Sequence, residues 1–197
     1  MKKQSWNWEC GSQPYLLSSP LRKINKMEKE IINKVDQSGL LQIDLEDLYM
    51  PGERVEVDLK PWLFQELILK EKDFRESVKA HDWTQYKGKF VAVNCSADAI
   101  VPTWAYMIIA TNLAPYTAEV VFGDLYKLEE QLYFKQLSRL DKSVYQDQRI
   151  VVKGCADRNV PVSIYVALTS MLQPIVKSIM YGEPCSTVPV FKRKDKI

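Results

Sequence analysis

The sequence of 197 residues has a single histidine and lacks the common nucleotide-binding and hydrolase motifs. It contains no G-x-G-x-x-G and no G-x-x-x-x-G-K-[ST], so nucleotide binding through a Rossmann fingerprint or a P-loop is not expected. It contains neither the G-x-S-x-G elbow nor the H-E-x-x-H helix. Any catalysis that pairs a nucleophile with histidine would have to use His81, whose position beside Asp82 and Trp83 is more typical of a turn or packing residue.

Long apolar runs and large blocks of like charge are also absent. No stretch approaches the roughly 18 apolar residues that span a membrane, and no apolar segment follows the first lysines as in a signal peptide. The net charge is only +2, and the one basic run lies near the C-terminus. We therefore expect a cytoplasmic protein that binds neither nucleic acid nor membrane. Its four cysteines are then expected to be free thiols, metal ligands or catalytic groups rather than disulfides.

The chain is expected to form a single α/β domain over residues 27–197, preceded by a flexible extension over residues 1–26. Alternating apolar residues predict strands over residues 40–45 and 55–59, which could pair as a hairpin. Apolar residues at helical spacing predict an amphipathic helix over residues 62–78.

The second half of the chain predicts strands that alternate with helices. Short apolar runs indicate buried strands at residues 90–93, 119–122 and 149–152. Helices are expected over residues 102–113, from 125 to about 140, and from Pro161 to a C-cap at Gly182. This alternation favours parallel pairing through right-handed crossovers, and the expected architecture is a three-layer α/β/α fold with a mainly parallel sheet.

A strand–Cys–loop–Pro–helix unit occurs twice. One copy reads FVAVNCSADAIVPTWAY and the other reads IVVKGCADRNVPVSIYV. Each has a cysteine (Cys95, Cys155), an Ala-Asp (Asp98, Asp157) and a Val-Pro, with one residue fewer between cysteine and proline in the second copy. These side chains are predicted at the carboxyl ends of strands, where ligands bind in open α/β sheets. The N-terminus of the following helix favours a thiolate.

A third cysteine follows later, in the proline-rich segment GEPCSTVP. Three thiolates with one open position suit zinc or an iron–sulfur cluster. The sequence has no C-x-x-C pair, so these ligands would have to converge by folding. The predicted metal ligands are Cys95, Cys155, Cys185, Asp98 and Asp157.

Two alternatives remain open. The cysteines could act without metal, in thiol transfer, persulfide carriage or as a nucleophile. They could also be small buried side chains in a non-catalytic interaction module. The chain could form a homo-oligomer under any of these hypotheses.

The segments CSADAIVPTWAYM, VVKGC and KSIMYGEPCSTVPVFKR resemble DUF2480, a bacterial family of unknown function. The resemblance runs from about Met27 to the C-terminus. Members of this family are often encoded near iron–sulfur cluster assembly genes. The resemblance therefore implies a role in cluster assembly or sulfur handling, with iron–sulfur assembly proteins as partners.

Overall fold

A computed structural model of the chain describes residues 39–153, 158–183 and 186–194. The described strands are β1 (Leu40–Ile43), β2 (Arg54–Asp58), β3 (Phe90–Asn94), β4 (Glu119–Phe122), β5 (Arg149–Val152), β6 (Ser178–Glu183) and β7 (Ser186–Lys192). The described helices are α1 (Glu71–Ala80), α2 (Thr103–Leu113), α3 (Leu125–Leu137) and α4 (Val162–Leu172). None of these helices is long and apolar enough to cross a membrane. The predicted extension over residues 1–26 lies outside the described residues.

The described strands form two sheets, whereas the sequence predicted one. The three-stranded sheet has the order β2-β3-β4, and all its strands are parallel. The four-stranded sheet has the order β1-β5-β6-β7 and is parallel except for the β6–β7 hairpin. The α/β class and the mainly parallel pairing are therefore confirmed. The predicted hairpin of the first two strands is wrong, because β1 and β2 belong to different sheets.

The central strands β3 and β5 are buried along nearly their whole length. Alternate residues of β3 point to opposite faces of the three-stranded sheet. Val91 and Val93 pack with α1 and α2, whereas Phe90 and Ala92 pack with α3. Continuous apolar runs are typical of strands that are covered on both faces, which explains why the sequence predicted these strands well.

Helix α3 packs against both sheets. Leu128 and Leu132 contact the face of the three-stranded sheet opposite to α1 and α2. Tyr133 and Leu137 contact the core that the four-stranded sheet forms with α4. At 3.6 residues per turn these two pairs lie on opposite sides of the helix. Helix α3 therefore packs between the three-stranded sheet and the core of the four-stranded sheet.

The helix predicted over residues 62–78 begins only at Glu71. The backbone between Phe64 and Ile68 closes a tight turn, with Gln65 and Glu66 at φ angles of 53° and 57°. Left-handed residues cannot continue a right-handed helix. Ile68 instead forms a strand-like bridge with Ile100.

The last predicted helix is also too long. Helix α4 ends at Leu172, and the residues expected to finish it form β6. Pro174 follows directly after the helix end and cannot continue the helical hydrogen bonding. Gly182, predicted as a helix cap, lies in the β6–β7 hairpin at a φ of 120°. A Cβ there would lie 2.5 Å from the Ser186 carbonyl oxygen, so the hairpin requires glycine.

Candidate functional site

Two of the five predicted ligands belong to the described residues. Cys95 follows β3, is half-buried, and its sulfur lies 3.8 Å from a carbonyl oxygen in the next loop. Asp98 is exposed. Cys155, Asp157 and Cys185 lie outside the described residues. Within the described ranges, no group of three His, Cys, Asp or Glu residues could hold a metal ion.

The strands that lead to the repeated cysteines belong to different sheets. Cys95 follows β3 in the three-stranded sheet, and Cys155 comes three residues after the end of β5 in the four-stranded sheet. Helix α3, which is about 10 Å across with its side chains, packs between the cores of the two sheets. Strand pairing therefore does not bring these two positions together.

At the carboxyl edge of the three-stranded sheet, Asp58 ends β2 and accepts three hydrogen bonds. The donors are the backbone N–H of Lys60 at 2.9 Å, the backbone N–H of Ser96 at 2.9 Å and the Ser96 hydroxyl at 2.5 Å. Burial raises the pKa of Asp58, but these hydrogen bonds outweigh it, and the pKa lies below its usual value. The carboxylate thus ties the loop after β3 to the end of β2.

Two further polar side chains lie at this edge. Asn94 donates to Glu56 at 2.9 Å, while its own Oδ1 is buried and accepts no hydrogen bond from the described residues. Burial raises the pKa of Tyr106, and the nearby Cys95 and Asp58 add to this shift.

The four-stranded sheet has a carboxylate at the corresponding position. Asp44 follows β1 and accepts the backbone N–H of Glu46 at 3.0 Å and the Lys153 ammonium at 2.7 Å. Burial raises the pKa of Asp44, but the hydrogen bonds from Lys153 and Glu46 outweigh it and hold the pKa below its usual value. A carboxylate–ammonium pair therefore replaces the carboxylate–hydroxyl pair of the other sheet.

Glu183, the last residue of β6, adds a second carboxylate near Lys153. The hydrogen bond to Asp44 is the main cause that raises the pKa of Lys153, and the charges of Glu46 and Glu183 add to it. The Glu183 Oε1 atom is buried, and none of the described residues donates a hydrogen bond to it. A buried carboxylate oxygen without a donor is costly.

Beside each cluster lies an apolar groove between a helix and the third parallel strand. In the three-stranded sheet the groove has a volume of about 770 Å³ and contains an edge-to-face pair of Tyr106 and Phe122 at 5.0 Å. In the four-stranded sheet it has about 510 Å³ and contains the pair of Tyr165 and Tyr181 at 5.9 Å. Val190 of β7 lines only the second groove.

His81, the one histidine available as a base, is held by packing. Its Nε2 lies 2.9 Å from the Tyr86 hydroxyl, and its ring contacts Trp62 and Trp83 edge to face. Burial lowers its pKa. These contacts support its interpretation as a packing residue at the end of α1.

Sequence reasoning missed the two carboxylates that organise these edges. Asp44 and Asp58 each end an alternating strand, in the segments LQIDL and VEVDL, and each is followed by a buried leucine. Ligands bind at the carboxyl ends of the strands in open α/β sheets. An Asp at the end of an alternating strand is therefore a pattern from which these carboxylates could have been predicted.

These features define an α/β protein with two mainly parallel sheets and a polar cluster at the carboxyl edge of each. A family model described as "Protein of unknown function (DUF2480)" matches residues 29–193. The chain belongs to this family, as the resemblance of its segments indicated. No curated protein and no solved structure matches the chain.

Proposed function

We propose that the protein binds a metal ion or an iron–sulfur cluster at the carboxyl edge of the four-stranded sheet, with Cys155 and Cys185 as thiolate ligands. The observation that carries this proposal is the pairing of β5 with β6. Val152 pairs with Tyr181 in parallel register. The chain therefore leaves both strands at the same edge, and each cysteine follows within four residues of this pair.

Among the described side chains, Glu183 supports the proposal best. The Asp44 oxygens accept hydrogen bonds from the Glu46 N–H and the Lys153 ammonium, whereas the buried Glu183 Oε1 accepts none from the described residues and is the oxygen that would bind a metal. Lys153 adds a positive charge two residues before Cys155, which favours the thiolate that binds metal. A bound zinc would act as a Lewis acid or a structural link, and a cluster would supply redox or cluster-transfer chemistry.

A duplicated scaffold supports a role for Asp44. We propose that the two sheets derive from one repeated unit, because the same number of residues separates Asp82 from Asp141 and Pro102 from Pro161. Both aspartates cap a 3₁₀ helix, and both prolines cap an α-helix. In this alignment the three-layer arrangement belongs to the three-stranded sheet, whose two faces contact α1 and α2 on one side and α3 on the other.

This alignment pairs different residues from the repeat in the sequence, in which Cys95 was matched with Cys155. The strands β3 and β5 begin equally far before Pro102 and Pro161. Without a gap, Cys155 matches Ser96, the residue whose hydroxyl donates to Asp58. Asp44 corresponds to Asp58, so we propose that Asp44 supports Cys155. Cys95 then has no counterpart in the four-stranded sheet.

The role of Cys95 distinguishes two versions of the proposed metal site. In the version that we favour, Cys155 and Cys185 are joined by carboxylates, among which Asp157 is a further candidate. In the three-thiolate version predicted from the sequence, Cys95 and Asp98 also contribute. The two versions predict different behaviour of a Cys95→Ser variant.

The test is anaerobic purification of the full chain, followed by iron, zinc and acid-labile sulfide analysis and by reconstitution with iron and sulfide. We expect metal bound stoichiometrically to the wild type and at least tenfold less in Cys155→Ser and Cys185→Ser. Cys95→Ser is the matched control and should retain the metal. Loss of metal in all three variants would favour the three-thiolate site. A wild type that stays metal-free after zinc and iron–sulfide reconstitution would refute the proposal.

The proximity of Lys153 to Cys155 along the chain also favours a second candidate, metal-free thiol chemistry such as persulfide carriage. In that case metal-free protein should contain one thiol that reacts rapidly with iodoacetamide at pH 7. Lys153→Met should slow that alkylation at least tenfold, because it removes the positive charge that stabilises the thiolate. Uniformly slow alkylation of all thiols would instead favour the interaction module.

A further inference from the structure

We infer that β4 is a dimerisation edge, at which a second copy of this chain extends the three-stranded sheet. The four-stranded sheet shows the template. There β7 lies antiparallel along β6 from Ser178 to Glu183, and its Val190 forms one wall of the groove. In the three-stranded sheet, β4 occupies the position of β6, and among the described strands it pairs only with β3.

The surface around β4 is apolar and continuous. Ile68 is bridged to both Phe64 and Ile100, and Ile100 lines the groove together with Met107 and Phe122. Six large side chains here are between 43% and 92% exposed: Phe64, Leu67, Ile68, Ile100, Met107 and Phe122. An exposed cluster of this kind marks an interaction surface on a folded protein.

The area suits a dimer. With about 180 Å² for each large apolar side chain, the six residues expose roughly 700 Å². A standard interface buries about 800 Å² on each partner. A twofold axis through β4 would cover the cluster of both copies at once, because an isologous interface uses the same surface twice.

The charges of β4 permit this pairing. Glu119 is the only charged residue of the strand, and it forms an ion pair with Lys135. If the axis passes through Val120 or Val121, Glu119 faces Val121 or Gly123 of the second copy rather than its own equivalent. Like charges therefore do not meet across the new strand pair.

Sedimentation velocity of the full chain over a range of concentrations tests the inference. We expect a dimer for the wild type. Phe122→Lys and Met107→Lys should each raise the dimer dissociation constant about 100-fold, since each substitution enters the interface twice. Both side chains are exposed, at 69% and 63%, so the variants should keep the wild-type circular dichroism spectrum, while their Tm should lose the concentration dependence that a dimer gives.

Val166→Lys is the matched control. Val166 corresponds to Met107 on the other sheet's groove and is 61% exposed. It should leave the dimer intact. A monomeric wild type at all concentrations, or equal dissociation by Met107→Lys and Val166→Lys, would overturn the inference. A wild type that is monomeric alone but binds a foreign strand at β4 would also overturn it, since the occupant would not be a second copy.

Discussion

Among the described strands, β4 ends the three-stranded sheet on one side, whereas β6, the third parallel strand of the four-stranded sheet, is followed by β7. The clusters at the carboxyl edges differ as well. Asp58 is paired with the Ser96 hydroxyl, while Asp44 is paired with the Lys153 ammonium. Both sheets have a buried central strand, whereas the polar groups at their carboxyl edges differ.

The largest loss of stability is expected from truncating the buried core residues of α2 and α4. Ile109 and Leu168 occupy corresponding positions on α2 and α4, and both are fully buried. Truncating either residue to alanine should lower the free energy of unfolding by about 2–5 kcal/mol. Chemical denaturation should still show one transition, because α3 packs on both sheets. Two separate transitions would show that the sheets unfold independently.

Glycine substitutions should distinguish the two sheets more clearly, because the glycine of the β6–β7 hairpin is more tightly constrained. Gly182→Ala should cost about 2–3 kcal/mol, because the residue has a φ of 120° and its Cβ would press against the Ser186 carbonyl oxygen. Gly123→Ala is the matched variant in the other sheet, where the Cβ would meet only the Lys127 side chain. It should cost less, at about 1–2 kcal/mol. Equal losses in urea denaturation would contradict a special constraint from β7.

Unfolding at alkaline pH tests the packing of α3, the helix that contacts the cores of both sheets. Burial raises the pKa of Tyr133 to about 12, with the Glu129 charge adding to the shift. The folded state therefore holds the tyrosine proton more tightly than the unfolded state. Stability should fall as the pH rises above about 10, the usual pKa of tyrosine. Near pH 12 the free energy of unfolding of Tyr133→Phe should be about 2 kcal/mol higher than that of the wild type. At pH 8 the two proteins should have similar free energies of unfolding.

The smallest effect is expected at the two edge carboxylates. Asp58→Asn should cost about 1–2 kcal/mol at pH 7, because it weakens charge-assisted hydrogen bonds. The pKa of Asp58 is lowered in the folded state. Its contribution is therefore present above the unfolded pKa near 4 and disappears as the pH falls through the lower folded value. Asp44→Asn should show the same dependence, and a cost in either variant that persists at low pH would count against this account.

The sequence predicted the strands that are buried on both faces, because β3 and β5 carry unbroken apolar runs. It did not predict the division into two sheets, since nothing local indicates that residues 40–43 pair with residues 149–152. It also missed β6, whose apolar and polar residues continue after α4 without a clear break except Pro174. For the candidate site, the cysteines were visible in the sequence, whereas the organising carboxylates depend on how strand ends meet in space.

The pairing of β1 with β5 also sets an order of assembly. All strands of the three-stranded sheet come from consecutive residues between Arg54 and Phe122, so this sheet can form early. β1 can pair only after β5 is available, and β5 follows all the residues of the three-stranded sheet. The loop between β1 and β5 is therefore long, and closing it is slow. During synthesis on the ribosome, the first strand of the four-stranded sheet is therefore expected to be among the last to be captured.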